Sequence, residues 1–127
     1  IAAIVEKKQK KSYLCSPNLI NIIHFFMVKH IILWTLNPEL SEEEKQNVKA
    51  GIKAGLEGLV GKVPGLLEAK VHISGRLASS NADVMLDSTL ESEEALKGYA
   101  KHPEHVAVAN TKVRPYTVQR SCLDFEI

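Results

Sequence analysis

The chain has only two cysteines, Cys15 and Cys122, and neither belongs to a CxxC pair or to any metal-ligand spacing. That excludes the disulfide framework of small secreted domains and the commonest zinc sites. Both are read as reduced thiols, which places the protein in the cytoplasm with no metal expected. No uninterrupted apolar run reaches about 18 residues, because Lys29 and His30 break the segment from Leu19 to Leu36. A membrane-spanning helix is therefore not expected. A basic stripe is also missing, since 16 Lys and Arg stand against 15 Asp and Glu. Nucleic-acid binding has little electrostatic support. With seven glycines and neither GxxxxGK(S/T) nor GxGxxG, the chain offers no phosphate cradle.

What remains is a chain of 127 residues, 45% hydrophobic and 24% charged, enough for one domain with one core. Its charge is split. Residues 1–26 carry four lysines and one glutamate, whereas 27–127 carry 12 basic and 14 acidic side chains. The first segment opens on Ile1 and ends in an apolar run, Leu19–Phe26, with Met27 directly before the first convincing strand. A positive patch followed by a short apolar run imitates a secretory signal, yet no small-residue cleavage site follows. Residues 1–26 are read as an appended leader, an upstream extension of the reading frame and not part of the fold. The domain is assigned to 27–127.

From Met27 the pattern alternates between strand and helix. Val28–Leu36 reads as a strand that is apolar on both faces, hence central. Val28, His30, Ile32, Trp34 and Leu36 share one face, with Ile31 and Leu33 on the other. Ser41-Glu42-Glu43-Glu44 is a capping box, followed by Val48, Ile52, Leu56, Leu59 and Val60 at helical spacing. Gly51, Gly55 and Gly58 fall in that helix, either for close packing on the sheet or as a loosened wall beside a cavity. Val63-Pro64-Gly65 is a turn. Leu67, Ala69, Val71 and Ile73 then alternate with polar residues, as do Ala82, Val84 and Leu86. Asp83 and Asp87 share a strand face but lie too far apart, roughly 13 Å, for a paired-carboxylate mechanism. A second helix starts at Ser92, and residues 116–127 form a last strand with Leu123, Phe125 and Ile127 on one face.

The order β-α-β-β-α-β is the ferredoxin-like, split βαβ arrangement, an α+β class. Two helices cover only one face of such a sheet. The other requires a partner, and a homodimer joined through the face of Val28, Ile32 and Trp34 is expected to supply it.

The densest chemistry lies in Tyr99-Ala100-Lys101-His102-Pro103-Glu104-His105, where a tyrosine and two histidines meet a helix-ending proline. An imidazole titrates near neutrality and a phenol gives or takes a hydrogen bond, so the set suits acid–base work without a metal. Helix capping, which the macrodipole favours for a histidine, accounts for the same residues. His30 is the third candidate, on an enclosed strand face; a hydrogen-bonded core histidine is the alternative there. His30, Tyr99 and His105 are expected to converge on one cavity.

The element order, Val28-Lys29-His30-Ile31-Ile32-Leu33, the helix start at Ser41–Lys45, Val63-Pro64-Gly65 and the Tyr99 to Val106 block together resemble the stress-responsive dimeric α/β-barrel (Dabb) family. The resemblance covers residues 27 to about 127. It implies a ferredoxin-like protomer, an eight-stranded barrel across a homodimer and a cavity between sheet and helices. Most members have no assigned activity. In its Tyr/His constellation the chain resembles olivetolic acid cyclase, a plant polyketide cyclase that closes a linear tetraketide by aldol condensation. That likeness implies His105 as general base, Tyr99 as the orienting group and His30 as the strand histidine. The main expectation is a small organic ligand of unassigned identity, with no cofactor. A cofactor-independent cyclase or lyase is the alternative. Fold analogy alone adds an antibiotic-biosynthesis-type or haem-degrading monooxygenase.

Overall fold

The computed structural model describes residues 26–127. The leader, apart from Phe26, lies outside the described residues. Strand β1 (Val28–Leu36) is followed by helix α1 (Glu42–Glu57), strands β2 (Leu66–His72) and β3 (Val84–Leu90) and helix α2 (Glu93–Lys101). A short helix α3 (Pro103–Val108), a π turn (Ala109–Val113) and a 3-10 turn (Arg114–Tyr116) then lead into β4 (Thr117–Glu126). The sheet order is β2-β3-β1-β4, with every neighbouring pair antiparallel. This is the expected ferredoxin-like topology, with β1 central.

Local chemistry explains the helix boundaries. The Ser41 Oγ accepts from the Glu44 N–H at 3.1 Å while Glu44 Oε1 accepts from the Ser41 N–H at 2.9 Å, closing the capping box. Helix α1 ends at Glu57, so Gly58 is its C-cap and not an interior residue. Val60, expected on the buried stripe, consequently turns outward and is exposed. Ile52, Leu56, Leu59 and Val63 carry the stripe instead. Each such side chain contributes about 1.5–3 kcal/mol when fully buried.

Two glycines set how the helices dock. A methyl at Gly55 would meet Val108 Cγ1 at 2.8 Å, so this glycine lets α3 lie against α1. The close packing is therefore helix on helix, where helix on sheet was expected. Gly65 adopts φ +83° and a methyl there would meet Ala95 Cβ at 2.5 Å, which brings α2 down onto the turn before β2. Strand β2 departs from strict alternation at a register shift between Leu66 and Glu68, leaving Leu66 buried and Leu67 exposed.

The expected dimer face is corrected by the burial. Val28, Ile32, Trp34 and Leu36 point under the helices, with Ile32 only 1% exposed. The more apolar face of β1 is thus taken by the helices, whose own stripes need it. The open face carries Ile31 and Leu33 of β1 beside Leu123, Ser121 and Phe125 of β4. Leu33, Leu123 and Phe125 are 40%, 62% and 42% exposed. Asp87 lies on this face and pairs with Lys29 at 3.0 Å, whereas Asp83 holds the end of β1 through the Leu36 N–H. The two carboxylates do separate structural jobs.

Gly65→Ala combines a left-handed backbone, costing about 1–2 kcal/mol, with the Ala95 overlap. Gly61, at φ +90°, has nothing within 4 Å of the added methyl. Gly65→Ala is expected to melt lower than Gly61→Ala by several degrees, since about 1 kcal/mol moves Tm by about 4–8 °C in a domain of this size. Thermal melts of the two variants side by side check this; equal midpoints would contradict the Ala95 contact.

Candidate functional site

His30, Tyr99 and His105 come from three elements and line one cavity of about 350 Å³ between the sheet and the helices. His30 sits mid-strand on the helix-facing side of β1 and is 8% exposed. Tyr99 is in the last turn of α2 and 1% exposed. His102 and Pro103 stop that helix and start α3, and the new helix carries His105 back over the Tyr99 ring. The Tyr99 and His105 ring centroids are 4.3 Å apart at an interplanar angle of 41°. Tyr99 also meets His30 in an edge-type contact, with centroids at 5.8 Å. Ile32, Trp34, Leu56 and Leu86 form the apolar wall.

The two histidines of the Tyr99 block divide the roles between them. His102 is the cap: its Nδ1 accepts from the Glu104 N–H at 3.1 Å at the start of α3. His105 faces the cavity, and its Nδ1 lies 3.3 Å from the Ala100 carbonyl. A carbonyl only accepts, so Nδ1 bears the hydrogen and Nε2 keeps the lone pair. Desolvation by burial holds His105 below the ordinary histidine range, opposed by the Ala100 bond and aided by the charges of His30, Arg114 and Arg120. His105 is therefore a neutral base at pH 7.

Tyr99 is the complementary group. Burial pushes its phenol up to about 12, so it stays a neutral O–H donor. Among the described residues that hydroxyl has no hydrogen-bond partner. A buried donor left unmatched costs about 1–3 kcal/mol, and such a group calls for an explanation such as a catalytic role or a bound water or ligand.

His30 has a partner beyond the three residues expected to form the site. Its Nδ1 donates to Asp124 Oδ1 at 2.5 Å, and Asp124 faces His30 directly in the β1–β4 register. Period-two alternation along β4 carries the signal: Arg120, Cys122 and Asp124 share the face opposite Leu123 and Phe125. Arg120 and Arg114 line the cavity as well. Arg114 follows a π turn that no sequence pattern announces.

His30, Cys122 and Asp124 bring nitrogen, sulfur and oxygen within 4.8 Å of one another, the one such metal-ligand cluster among the described residues. A metal with bonds of about 2.0–2.3 Å spaces its ligand atoms farther apart than the 2.5 Å between His30 and Asp124. The geometry is that of a hydrogen bond. Partial burial and the Asp124 carboxylate push the Cys122 thiol up, which keeps it a weak nucleophile.

Because the folded His105 value lies below that of the unfolded chain, near 6.5, the unfolded state binds the proton more readily. Stability from this site is fully present above pH 6.5 and falls as pH drops through the window beneath it. A proton-NMR titration of the His105 ring is expected to give a midpoint below 6.5. His105→Gln is expected to remove that part of the acid-side loss of Tm. A His105 midpoint at or above 6.5 would contradict the buried placement.

Among the described residues no helix is long and apolar enough to cross a membrane. No curated protein matches the chain in sequence. Solved structures do. A dimeric protein of unknown function with a ferredoxin-like fold from Bacteroides fragilis is 30% identical, with a TM-score of 0.74; the match covers 82% of this chain and 100% of that one. A dimeric ferredoxin-like protein of unknown function from Thermobifida fusca is 21% identical, covering 84% and 96%, with a TM-score of 0.67. A hydroxynitrile lyase from Passiflora edulis shares the fold at 17% identity, covering 82% and 95%, with a TM-score of 0.63. Residues 28–127 match the family model of the stress-responsive A/B barrel domain, Dabb, and the chain therefore belongs to that family.

Proposed function

We propose that this protein is a cytoplasmic homodimer that binds a small organic carbonyl compound between its sheet and helices and moves a proton beside that carbonyl. The observation that carries the reading is a buried, neutral Tyr99 hydroxyl with no partner among the described residues, on a ring packed against the His105 ring, whose Nε2 keeps its lone pair. In this reading the Tyr99 O–H donates to the carbonyl oxygen and strengthens that bond as the oxygen becomes enolate-like. His105 Nε2 removes the proton from the neighbouring carbon as general base. His30, oriented by Asp124, presents its Nε2 to the same volume as a second proton-transfer group. The pair needs no cofactor, and the reaction class is lyase or cyclase. Carbon–carbon bond closure of the olivetolic acid cyclase type is one use of such an enolate. The hydroxynitrile lyase of the same fold supports the architecture as a scaffold for this class. The family match over residues 28–127 supports the domain reading for that segment.

The homodimer rests on the uncovered sheet face and on the dimeric structural relatives. Leu33, Leu123 and Phe125 leave an exposed apolar patch that a second copy would cover. Light scattering at micromolar concentration is expected to return a dimer for the natural chain and a monomer for the double variant Leu123→Asp, Phe125→Asp. A monomeric natural chain would contradict the assembly.

The chemistry is testable without the natural substrate. In D2O the protein is expected to catalyse hydrogen–deuterium exchange at the carbons flanking the carbonyl of 2-octanone, followed by NMR. His105→Ala should lower that rate by about 10²–10⁴, and Tyr99→Phe by about 10²–10³. Tyr99→Phe also removes an unsatisfied buried hydroxyl, so its unliganded Tm is expected to equal or exceed that of the natural protein. Exchange that persists undiminished in His105→Ala would sink the general-base assignment.

A further inference from the structure

We propose that the ligand of this cavity is an oxo acid, its ionised carboxylate held at the mouth by Arg114 and Arg120 and its keto oxygen held by Tyr99. This rests on the carbonyl-binding reading above and adds the chemical class of the ligand. The chain has three arginines. Arg76 is ion-paired with Asp83 at 3.0 Å. Arg114 and Arg120 both line the Tyr99 cavity, and among the described residues neither has a carboxylate within ion-pair distance. No acidic side chain lines that cavity. Asp124, the acid nearest on the same strand face as Arg120, is engaged by His30.

The placement of the arginines is constrained. Arg114 Nη1 donates to Asn110 Oδ1, which ties the guanidinium to the π turn whose Ala109 and Val113 line the cavity. Pro115 follows and fixes the chain direction there. Arg120 enters from β4 on the side of His30 and Cys122 and also borders the adjoining opening lined by Val28 and Asp124. Two guanidiniums lining one cavity, both close enough to act on the His105 charge, favour a planar, bidentate anion, for which arginine geometry is suited. Both are exposed whereas Tyr99 is buried, so the anion sits outward and the carbonyl inward. The remaining wall of Ile32, Trp34, Leu56 and Leu86 is apolar and suits a hydrocarbon tail. The positive charge has a second consequence: it helps keep His105 unprotonated until the anion arrives. A bound carboxylate offsets that charge and raises the basicity of His105 at the moment it is needed.

Calorimetric titration with 4-oxooctanoate and with its uncharged methyl ester separates the two layers of the argument. The acid is expected to bind at least tenfold more tightly than the ester. Arg120→Gln and Arg114→Gln should each weaken the acid more than the ester and so erode that preference, and Tyr99→Phe should weaken both ligands. In NMR the His105 titration should move upward with the acid bound and not with the ester. Equal affinity for acid and ester would overturn the oxo-acid assignment and leave the carbonyl reading standing. Binding of neither would overturn both.

Discussion

The Tyr99 ring packs against two imidazoles, His105 with centroids at 4.3 Å and His30 with centroids at 5.8 Å. Those three rings belong to α2, α3 and β1, so their contacts tie both short helices to the centre of the sheet. The cost of this arrangement is a buried hydroxyl with no acceptor among the described residues, about 1–3 kcal/mol. A domain whose total stability is of the order of 5–15 kcal/mol bears such a cost only where the surroundings over-determine it. Here they do: Gly65 lets α2 sit low on the β2 turn, Gly55 lets α3 sit low on α1, and the His102-Pro103 junction reverses the chain between them.

The same sheet serves two unlike purposes through the period-two alternation of its strands. One face feeds the core and the cavity, with Ile32, Trp34 and Leu86 as walls and His30 as the polar insertion. The other holds Lys29, Asp87 and an exposed apolar patch around Leu33, Leu123 and Phe125. Ser88, fully buried, donates to the His30 carbonyl at 2.7 Å and tightens the register at the very residue the site uses. Assembly on the outer face is thereby compatible with a cavity that stays free on the inner one.

Much of this was legible in the residues. The Val28–Leu36 strand, the Ser41 capping box, the Val63-Pro64-Gly65 turn and the Tyr99–His105 block each carry a local rule strong enough to stand alone. The assignment of faces was not legible, because β1 is apolar on both sides and only tertiary packing decides which side the helices take. The Leu66/Glu68 register shift moved Leu67 out of the expected core for a similar reason: a bulge leaves no mark in alternation until pairing is known. Asp124 and Arg120 were within reach, since β4 neighbours β1 in this topology and their face follows from Leu123 and Phe125. Arg114 was not, because a π turn has no recognisable sequence period.

The central claim is that the Tyr99 hydroxyl awaits a carbonyl oxygen with His105 Nε2 beside it. A crystal structure of the protein grown with 4-oxooctanoate tests this most directly. The account predicts the keto oxygen at hydrogen-bond distance from the Tyr99 hydroxyl, the adjacent carbon facing His105 Nε2 and the carboxylate toward Arg114 and Arg120. A ligand bound elsewhere, or one whose keto oxygen turns away from Tyr99, would contradict it.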